Sequence, residues 1–90
     1  MDHVMSDLKF SFLITKIPFE AVSSKNNQKT VEIQADEDSI RCSVWYDFHW
    51  DPLVLNGSVV VGDEITMVLM NHRIELYVND RLVDEEWPKG

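Results

Sequence analysis

Nine consecutive residues, Val44 to Pro52 with the sequence VWYDFHWDP, combine four aromatic side chains with one histidine and two aspartates. An indole flanked by a carboxylate and an imidazole is typical of surfaces that bind sugars. The apolar face of a pyranose stacks on the ring, and the polar neighbours bond its hydroxyl groups. Trp45, Asp47 and His49 form such a set, with Trp50 beside them. The alternative is that Trp45 packs beneath a loop, against a neighbouring domain or against a second copy of the chain.

The same segment suggests a metal site as a further alternative. Asp47, His49 and Asp51 stand at alternate positions and would offer oxygen and nitrogen ligands. Asp51 is also expected to begin a turn with Pro52. The acidic run DEDS at residues 36–39 lacks the central glycine and most of the oxygen ligands of a calcium loop. The sequence therefore predicts no bound metal and no other cofactor.

Nucleophilic catalysis has little support in the sequence. Cys42 falls on the predicted inner face of a strand, where a thiol behaves as a small hydrophobic group. His3 and His72 have no serine or cysteine partner in a suitable local context, and no glycine-rich phosphate loop is present. We therefore predict that this segment is not an enzyme.

Length and charge restrict the class of protein. Ninety residues are enough for one small domain with one core. The 16 acidic residues outnumber the 8 basic ones, so the surface repels nucleic-acid phosphates and anionic lipid. We expect no nucleic-acid or membrane partner, and no secretory signal or membrane span is evident. The single cysteine suits a reducing compartment, which predicts a soluble, cytoplasmic domain.

Apolar and polar residues alternate with a period of two along most of the chain, which is typical of half-buried strands. The pattern predicts strands over residues 8–14, 31–35 and 40–48, shorter apolar pieces at 53–55 and 59–61, and a polar turn at 23–28. In the third strand the alternation assigns Val44, Tyr46 and Phe48 to the core side. It assigns Trp45, Asp47 and His49 to the opposite side.

Two hairpins complete the pattern. A two-residue turn at Asn71 and His72 would pair residues 65, 67 and 69 with residues 78, 76 and 74, all of them apolar. The other face would pair Val68 with Glu75 and is predicted to be wetter. A second turn at Asn79 and Asp80 would return Leu82 and Val83 against Tyr77 and Leu76.

These elements predict an all-β fold, a small antiparallel β-sandwich of six or seven strands arranged as a meander. A single curved sheet or an open barrel is the alternative. No internal repeat, linker or low-complexity tract divides the chain, so residues 1–90 are predicted to be one module.

The last segment, RIELYVNDRLVDEEWPKG from Arg73 to Gly90, resembles the penultimate hairpin of concanavalin A-like and laminin G-like jelly-roll domains. With WYDFHWDPLV upstream, it looks more particularly like the small β-sandwich module found N-terminal to the catalytic domain in some bacterial family 32 glycoside hydrolases, the sucrose and fructan hydrolases. The resemblance implies a reduced jelly roll and a fragment of a longer chain. The catalytic signature of those hydrolases is absent, because HWDP shares only Asp51 and Pro52 with it. The metal ligands of legume lectins are also mostly missing.

Two functions follow from the resemblance and the residues. The first is a non-catalytic accessory domain of a glycoside hydrolase that binds carbohydrate through Trp45, Asp47, His49, Trp50 and Trp87. The second is a structural or interaction domain that packs on the adjacent catalytic domain or forms a homo-oligomer through exposed aromatic residues and strand edges.

Overall fold

The computed structural model describes residues 8–25, 29–46, 49–56, 58–70 and 73–86, and for residues 45–46 and 49–56 it describes the backbone alone. Within these ranges the chain forms eight strands: β1 (Leu8–Leu13), β2 (Phe19–Lys25), β3 (Lys29–Ala35), β4 (Ser39–Tyr46), β5 (His49–Asn56), β6 (Glu64–Leu69), β7 (Ile74–Val78) and β8 (Arg81–Glu86). The described residues contain no helix, and so none that is long and apolar enough to cross a membrane.

The strands form two four-stranded antiparallel sheets, in the orders β1-β6-β7-β8 and β2-β3-β4-β5. The predicted all-β antiparallel sandwich is therefore confirmed. The meander holds from β2 to β5 and from β6 to β8, but β1 pairs with β6 rather than with β2. The first sheet thus joins the beginning of the chain to its last third.

Strand β2 was not predicted, because its apolar residues do not all lie on its inner face and its polar residues do not all lie on its outer face. Val22 lies on the outer face with 62% of its surface exposed, whereas Ser23 takes the inner-face position opposite Val31. The residues from Ser23 to Lys25, which the polar composition assigned to a turn, complete this strand. Pairing with β3 fixes the strand where the apolar pattern is too weak to reveal it.

The core lies between the two sheets and is built from alternate residues of their inner faces. Cys42 exposes 2% of its surface and is flanked by the equally buried Ile40 and Val44, so the predicted inward face of β4 is confirmed over these residues. Phe12 of β1 meets Phe19 of β2 edge to face, with ring centroids 6.5 Å apart. Further buried members are Phe10, Ile14, Val31, Ile33, Ala35, Ile65, Met67, Leu69, Ile74 and Leu76.

The predicted register of the β6–β7 hairpin is confirmed. Residues 65, 67 and 69 pair with residues 78, 76 and 74, and Val68 pairs with Glu75 on the other face. That other face is less exposed to solvent than predicted, since Val68 and Glu75 expose only 6% and 7% of their surfaces. Glu75 tolerates this burial because the Arg73 guanidinium and the Tyr77 hydroxyl both bond its carboxylate.

The turn between β7 and β8 is also confirmed. Asn79 and Asp80 have φ angles of 51° and 66°, the left-handed conformation that a two-residue hairpin of type I′ requires. Tyr77 pairs with Leu82 as predicted. A bulge at Leu76 and Tyr77 then shifts the register, so that Leu76 faces Asp84 and the predicted pairing of Val83 with Leu76 is wrong.

Residues 58–63, between β5 and β6, form a loop, so the short apolar piece predicted at 59–61 is not part of a strand. Val59 is buried in the core, whereas Val60 begins a β-turn closed by a 3.1 Å hydrogen bond from the Asp63 N–H to the Val60 carbonyl. Gly62 occupies its third position with a φ of 102°, which only glycine adopts readily and which defines a type II turn.

Lys25 connects the two sheets at one edge. Its ammonium group donates a hydrogen bond to the Lys9 carbonyl and lies 5.1 Å from the centroid of the Phe10 ring. The last residue of β2 thereby caps a backbone acceptor of the edge strand β1, which limits the pairing of that edge with another chain.

Candidate functional site

The segment VWYDFHWDP contains the end of one strand and the beginning of the next rather than one continuous strand. Strand β4 ends at Tyr46, β5 begins at His49, and these two residues face each other. The predicted alternation through His49 is therefore wrong, because the position of His49 lies on the same face as that of its partner Tyr46 and not on the face of Trp45. The two strands instead pair Trp45 directly with Trp50.

Asp51 and Pro52 do not begin a turn, as predicted, but lie within β5 opposite Val44 and Ser43. Strand β5 is at the edge of its sheet. An edge position suits proline because its missing N–H does not remove a ladder hydrogen bond on the unpaired side.

The five predicted site residues have different outcomes. Asp47 and Trp87 lie outside the described residues, as do the side chains of Trp45, His49 and Trp50. The backbone brings Trp45 and Trp50 to one register position and separates His49 from them. Of the three predicted positions whose backbone is described, Trp45 and Trp50 are therefore the two that lie together.

Register extends this pair across the whole sheet. Thr30 of β3 is the partner of Trp45, and Ser24 of β2 is the partner of Thr30, so four positions form one row. The hydroxyl oxygens of Ser24 and Thr30 are 2.8 Å apart and hydrogen-bonded. By strand alternation this row belongs to the outer face, because Val31 and Val44 beside it are buried in the core.

A second row of the same face carries charge. Glu20, Gln34 and Arg41 are exposed and directly paired across β2, β3 and β4. The Gln34 amide donates to the Glu20 carboxylate over 3.5 Å. Arg41 makes no ion pair with any described residue. We call the outer surface of β2, β3, β4 and β5, which contains both rows, the sheet face.

A groove of 320 Å³ opens at the end of the sheet face that holds the charged row. Its lining includes Pro18, Glu20, Gln34, Asp36, Ser39 and Arg41. The volume is at the lower limit of small-molecule sites, which span about 300–1,000 Å³. Carboxylates, an amide, a hydroxyl and a guanidinium surround it, so the groove offers both hydrogen-bond donors and acceptors.

Sequence reasoning missed the charged row because it did not predict β2. Once that strand is assigned, the alternation of Glu20, Val22 and Ser24 is the signal that locates its outer face. Nothing local to Gln34 or Arg41 indicated that they would share a row with Glu20, since that row depends on the register of three strands.

The side chains of the metal-site alternative, Asp47, His49 and Asp51, lie outside the described residues. Among the residues whose side chains are described, no group of three or more histidine, cysteine, aspartate and glutamate side chains could hold an ion. In the acidic turn at 36–39 the Asp36 carboxylate accepts a 2.8 Å hydrogen bond from the Glu37 N–H, and Asp36, Glu37 and Asp38 are exposed, as predicted for a solvated turn.

A separate apolar surface lies at the end of β1. Leu13, Val60 and Val61 expose 59%, 65% and 59% of their surfaces. The loop is held beside β1 by hydrogen bonds from the Ile14 N–H to the Asp63 carbonyl and from the Gly62 N–H to the Ile14 carbonyl. We call these three exposed side chains the apolar tip.

The Asp63 carboxylate fixes the shape of the apolar tip. It accepts hydrogen bonds from the Val60 N–H at 2.9 Å and from the Asn79 amide at 3.0 Å. The Val60 N–H, followed by the Asn79 amide, lowers the pKa of the Asp63 carboxyl from its ordinary value of 3.8. The carboxylate is therefore charged at neutral pH and ties the loop to the β7–β8 turn.

Comparison of the chain with protein-family models, with curated proteins and with solved structures found no match.

Proposed function

We propose that this chain is a non-catalytic accessory β-sandwich domain that binds carbohydrate on the sheet face. The observation that carries the proposal is the direct pairing of Trp45 with Trp50, in a row that continues into the hydroxyl groups of Thr30 and Ser24. Adjacent indoles provide a stacking surface for a sugar ring, and neighbouring hydroxyls bond its edge. The proposal therefore centres the site on Trp45 and Trp50, whereas the sequence alone suggested Trp45, Asp47 and His49.

The wider context remains the one that the sequence resemblance implies. In this proposal the domain belongs to a glycoside hydrolase of the sucrose or fructan type and helps it to hold substrate. The protein works in the cytoplasm, where the one cysteine, the buried Cys42, stays reduced.

The test is a titration of the domain with sucrose, fructans and a glycan panel, followed by tryptophan fluorescence and amide chemical shifts. We expect saturable binding at millimolar sugar that Trp45→Ala weakens at least about tenfold, a loss of roughly 1.4 kcal/mol. Trp45→Phe should keep part of the affinity because it keeps a ring. Arg81→Ala, on the other sheet, is the control and should bind as the wild type does. The absence of any response at millimolar sugar would exclude the proposal.

The second candidate is an interaction domain that packs on a catalytic domain or on another copy of itself. The observation that favours it is the apolar tip, whose three side chains are each more than half exposed. Burying a valine side chain contributes about 1.5 kcal/mol or more, so such a surface is able to support association.

Sedimentation over a range of concentrations distinguishes this candidate. If the domain self-associates through the apolar tip, the double substitution Val60→Ser and Val61→Ser should raise the dissociation constant of the dimer more than about tenfold. Leu82→Ser, a comparably exposed apolar residue on β8, is the matched control. A domain that stays monomeric at the highest concentration and does not bind its parent catalytic domain would contradict this candidate.

A further inference from the structure

We propose that the sheet face has two sugar subsites, one at the paired tryptophans and one in the groove beside Arg41, and that its ligand is an uncharged oligosaccharide long enough to reach both. This inference rests on the proposed carbohydrate-binding function and specifies its substrate class. The two subsites lie on the same face of the same strand, since Arg41 and Trp45 have the same parity in β4.

The spacing of the subsites sets the length of the ligand. Trp45 lies four positions after Arg41 in β4, which corresponds to about 13 Å at the rise of an antiparallel strand. One sugar ring is too short to contact both positions. The groove, at 320 Å³, is itself large enough for only a small group. A chain of linked rings that enters the groove at one end and stacks on the indoles at the other would use the entire face.

The side chains around the groove define the charge of the ligand. The carboxylates of Glu20 and Asp36 are hydrogen-bond acceptors, and the Arg41 guanidinium is a donor group. Sugar hydroxyls both donate and accept, so they satisfy all of these groups at once. A strongly anionic glycan would meet two carboxylates for one guanidinium, on a chain whose net charge is −8. The arrangement therefore favours an uncharged ligand.

The residues between the subsites are compatible with a bound chain. Val22, Glu32 and Ser43 form the middle row of the sheet face and are exposed or partly exposed. Val22 offers an apolar contact, and Glu32 and Ser43 offer hydrogen-bonding groups. A ligand that runs along β4 would cross this row midway between the two subsites and would find both apolar and polar contacts there.

The experiment is isothermal titration of the wild type, Arg41→Ala and Trp45→Ala with fructo-oligosaccharides of increasing length, beginning at sucrose. We expect the affinity of the wild type to rise about tenfold or more with length, because charge-assisted hydrogen bonds in the groove then add to stacking at the tryptophans. Arg41→Ala should abolish that increase and leave the affinity for sucrose within about twofold. Trp45→Ala should weaken binding at every length.

Arg81→Ala is the matched control, because Arg81 is an exposed arginine on the opposite sheet. Circular dichroism should show that each variant is folded. Affinity that does not depend on length, or an Arg41→Ala variant that weakens sucrose and longer chains equally, would overturn the two-subsite inference while leaving sugar binding intact. Tighter binding of a uronate oligomer of the same length would overturn the preference for an uncharged ligand. No binding of any sugar would overturn the proposed function itself.

Discussion

Phe10→Ala should lower the free energy of unfolding by about 3–5 kcal/mol. Phe10 exposes 1% of its surface and faces Met67 across the β1–β6 pair, so truncation leaves a cavity in the centre of the core. A domain of this size has a total stability of roughly 5–15 kcal/mol, so this loss approaches the limit of folding. Urea unfolding should show it directly, and the melting temperature should fall by at least about 15 °C.

Two further variants separate the causes of this loss. The ammonium group of Lys25 lies over the Phe10 ring, but such a contact contributes only about 0.5–1 kcal/mol at an exposed site. Lys25→Ala should therefore lower the free energy of unfolding much less than Phe10→Ala does. Leu13→Ala, on the same strand but 59% exposed, should change stability by less than about 0.5 kcal/mol. Equal losses for residues 10 and 13 would contradict the register of β1, because a shift by one residue exchanges its two faces.

Glu75→Ala is expected to lower the free energy of unfolding by about 2–3 kcal/mol, the second largest effect. The Glu75 carboxylate is 3.1 Å from the Arg73 guanidinium and accepts a 2.8 Å hydrogen bond from the Tyr77 hydroxyl. Its removal leaves both partners without this acceptor in a place where Glu75 itself is 7% exposed. Glu75→Gln keeps the shape and an acceptor but loses the charge, and should cost about 1 kcal/mol. Urea unfolding of the two variants at neutral pH measures the difference.

The same substitution should change the titration of tyrosine. The hydrogen bond to Glu75, together with desolvation and the nearby negative charge, raises the pKa of Tyr77 above its ordinary value of 10.0. A raised pKa in the folded state means that the stabilising contact is complete below pH 10 and is lost as the pH rises through the folded value. The stability difference between wild type and Glu75→Ala should therefore narrow in strongly alkaline solution.

Absorbance at alkaline pH monitors the tyrosinate directly. The chain has two tyrosines, so Tyr77→Phe identifies which transition belongs to Tyr77. In Glu75→Ala that transition should move towards pH 10, because the acceptor that stabilises the protonated hydroxyl has been removed. A Tyr77 transition unchanged by the substitution would contradict the contact, whatever the effect on stability.

Local pattern was sufficient where one face of a strand pair is entirely apolar. In the β6–β7 hairpin a shift of one residue would place Ile65, Met67 and Leu69 in solvent, so only one register buries them. The β7–β8 turn was equally predictable, since Asn79 and Asp80 tolerate positive φ. The inward position of Cys42 followed from the neighbouring isoleucine and valine.

The alternation of apolar and polar residues gave the wrong prediction between Val44 and Pro52, because it does not indicate where the chain reverses its direction. A continuous strand would place residue 48 on the same face as Tyr46, and the antiparallel pairing of β4 with β5 instead places His49 there. Aromatic residues stand on both sides of the reversal, so the sequence from Val44 to Pro52 fits either conformation. The difference decides whether His49 or Trp50 accompanies Trp45.

The sequence by itself determined the all-β class, the tight turn at Asn79 and the buried faces of β4, β6 and β7, because these depend on neighbours along the chain or on one hairpin. The tertiary structure alone decided that β1 pairs with β6, that β2 exists, and that Glu20, Gln34 and Arg41 form one row beside a groove. The β1–β6 pair joins residues more than 50 positions apart, and the charged row depends on the registers of two successive strand pairs. No local alternation of apolar and polar residues records either arrangement.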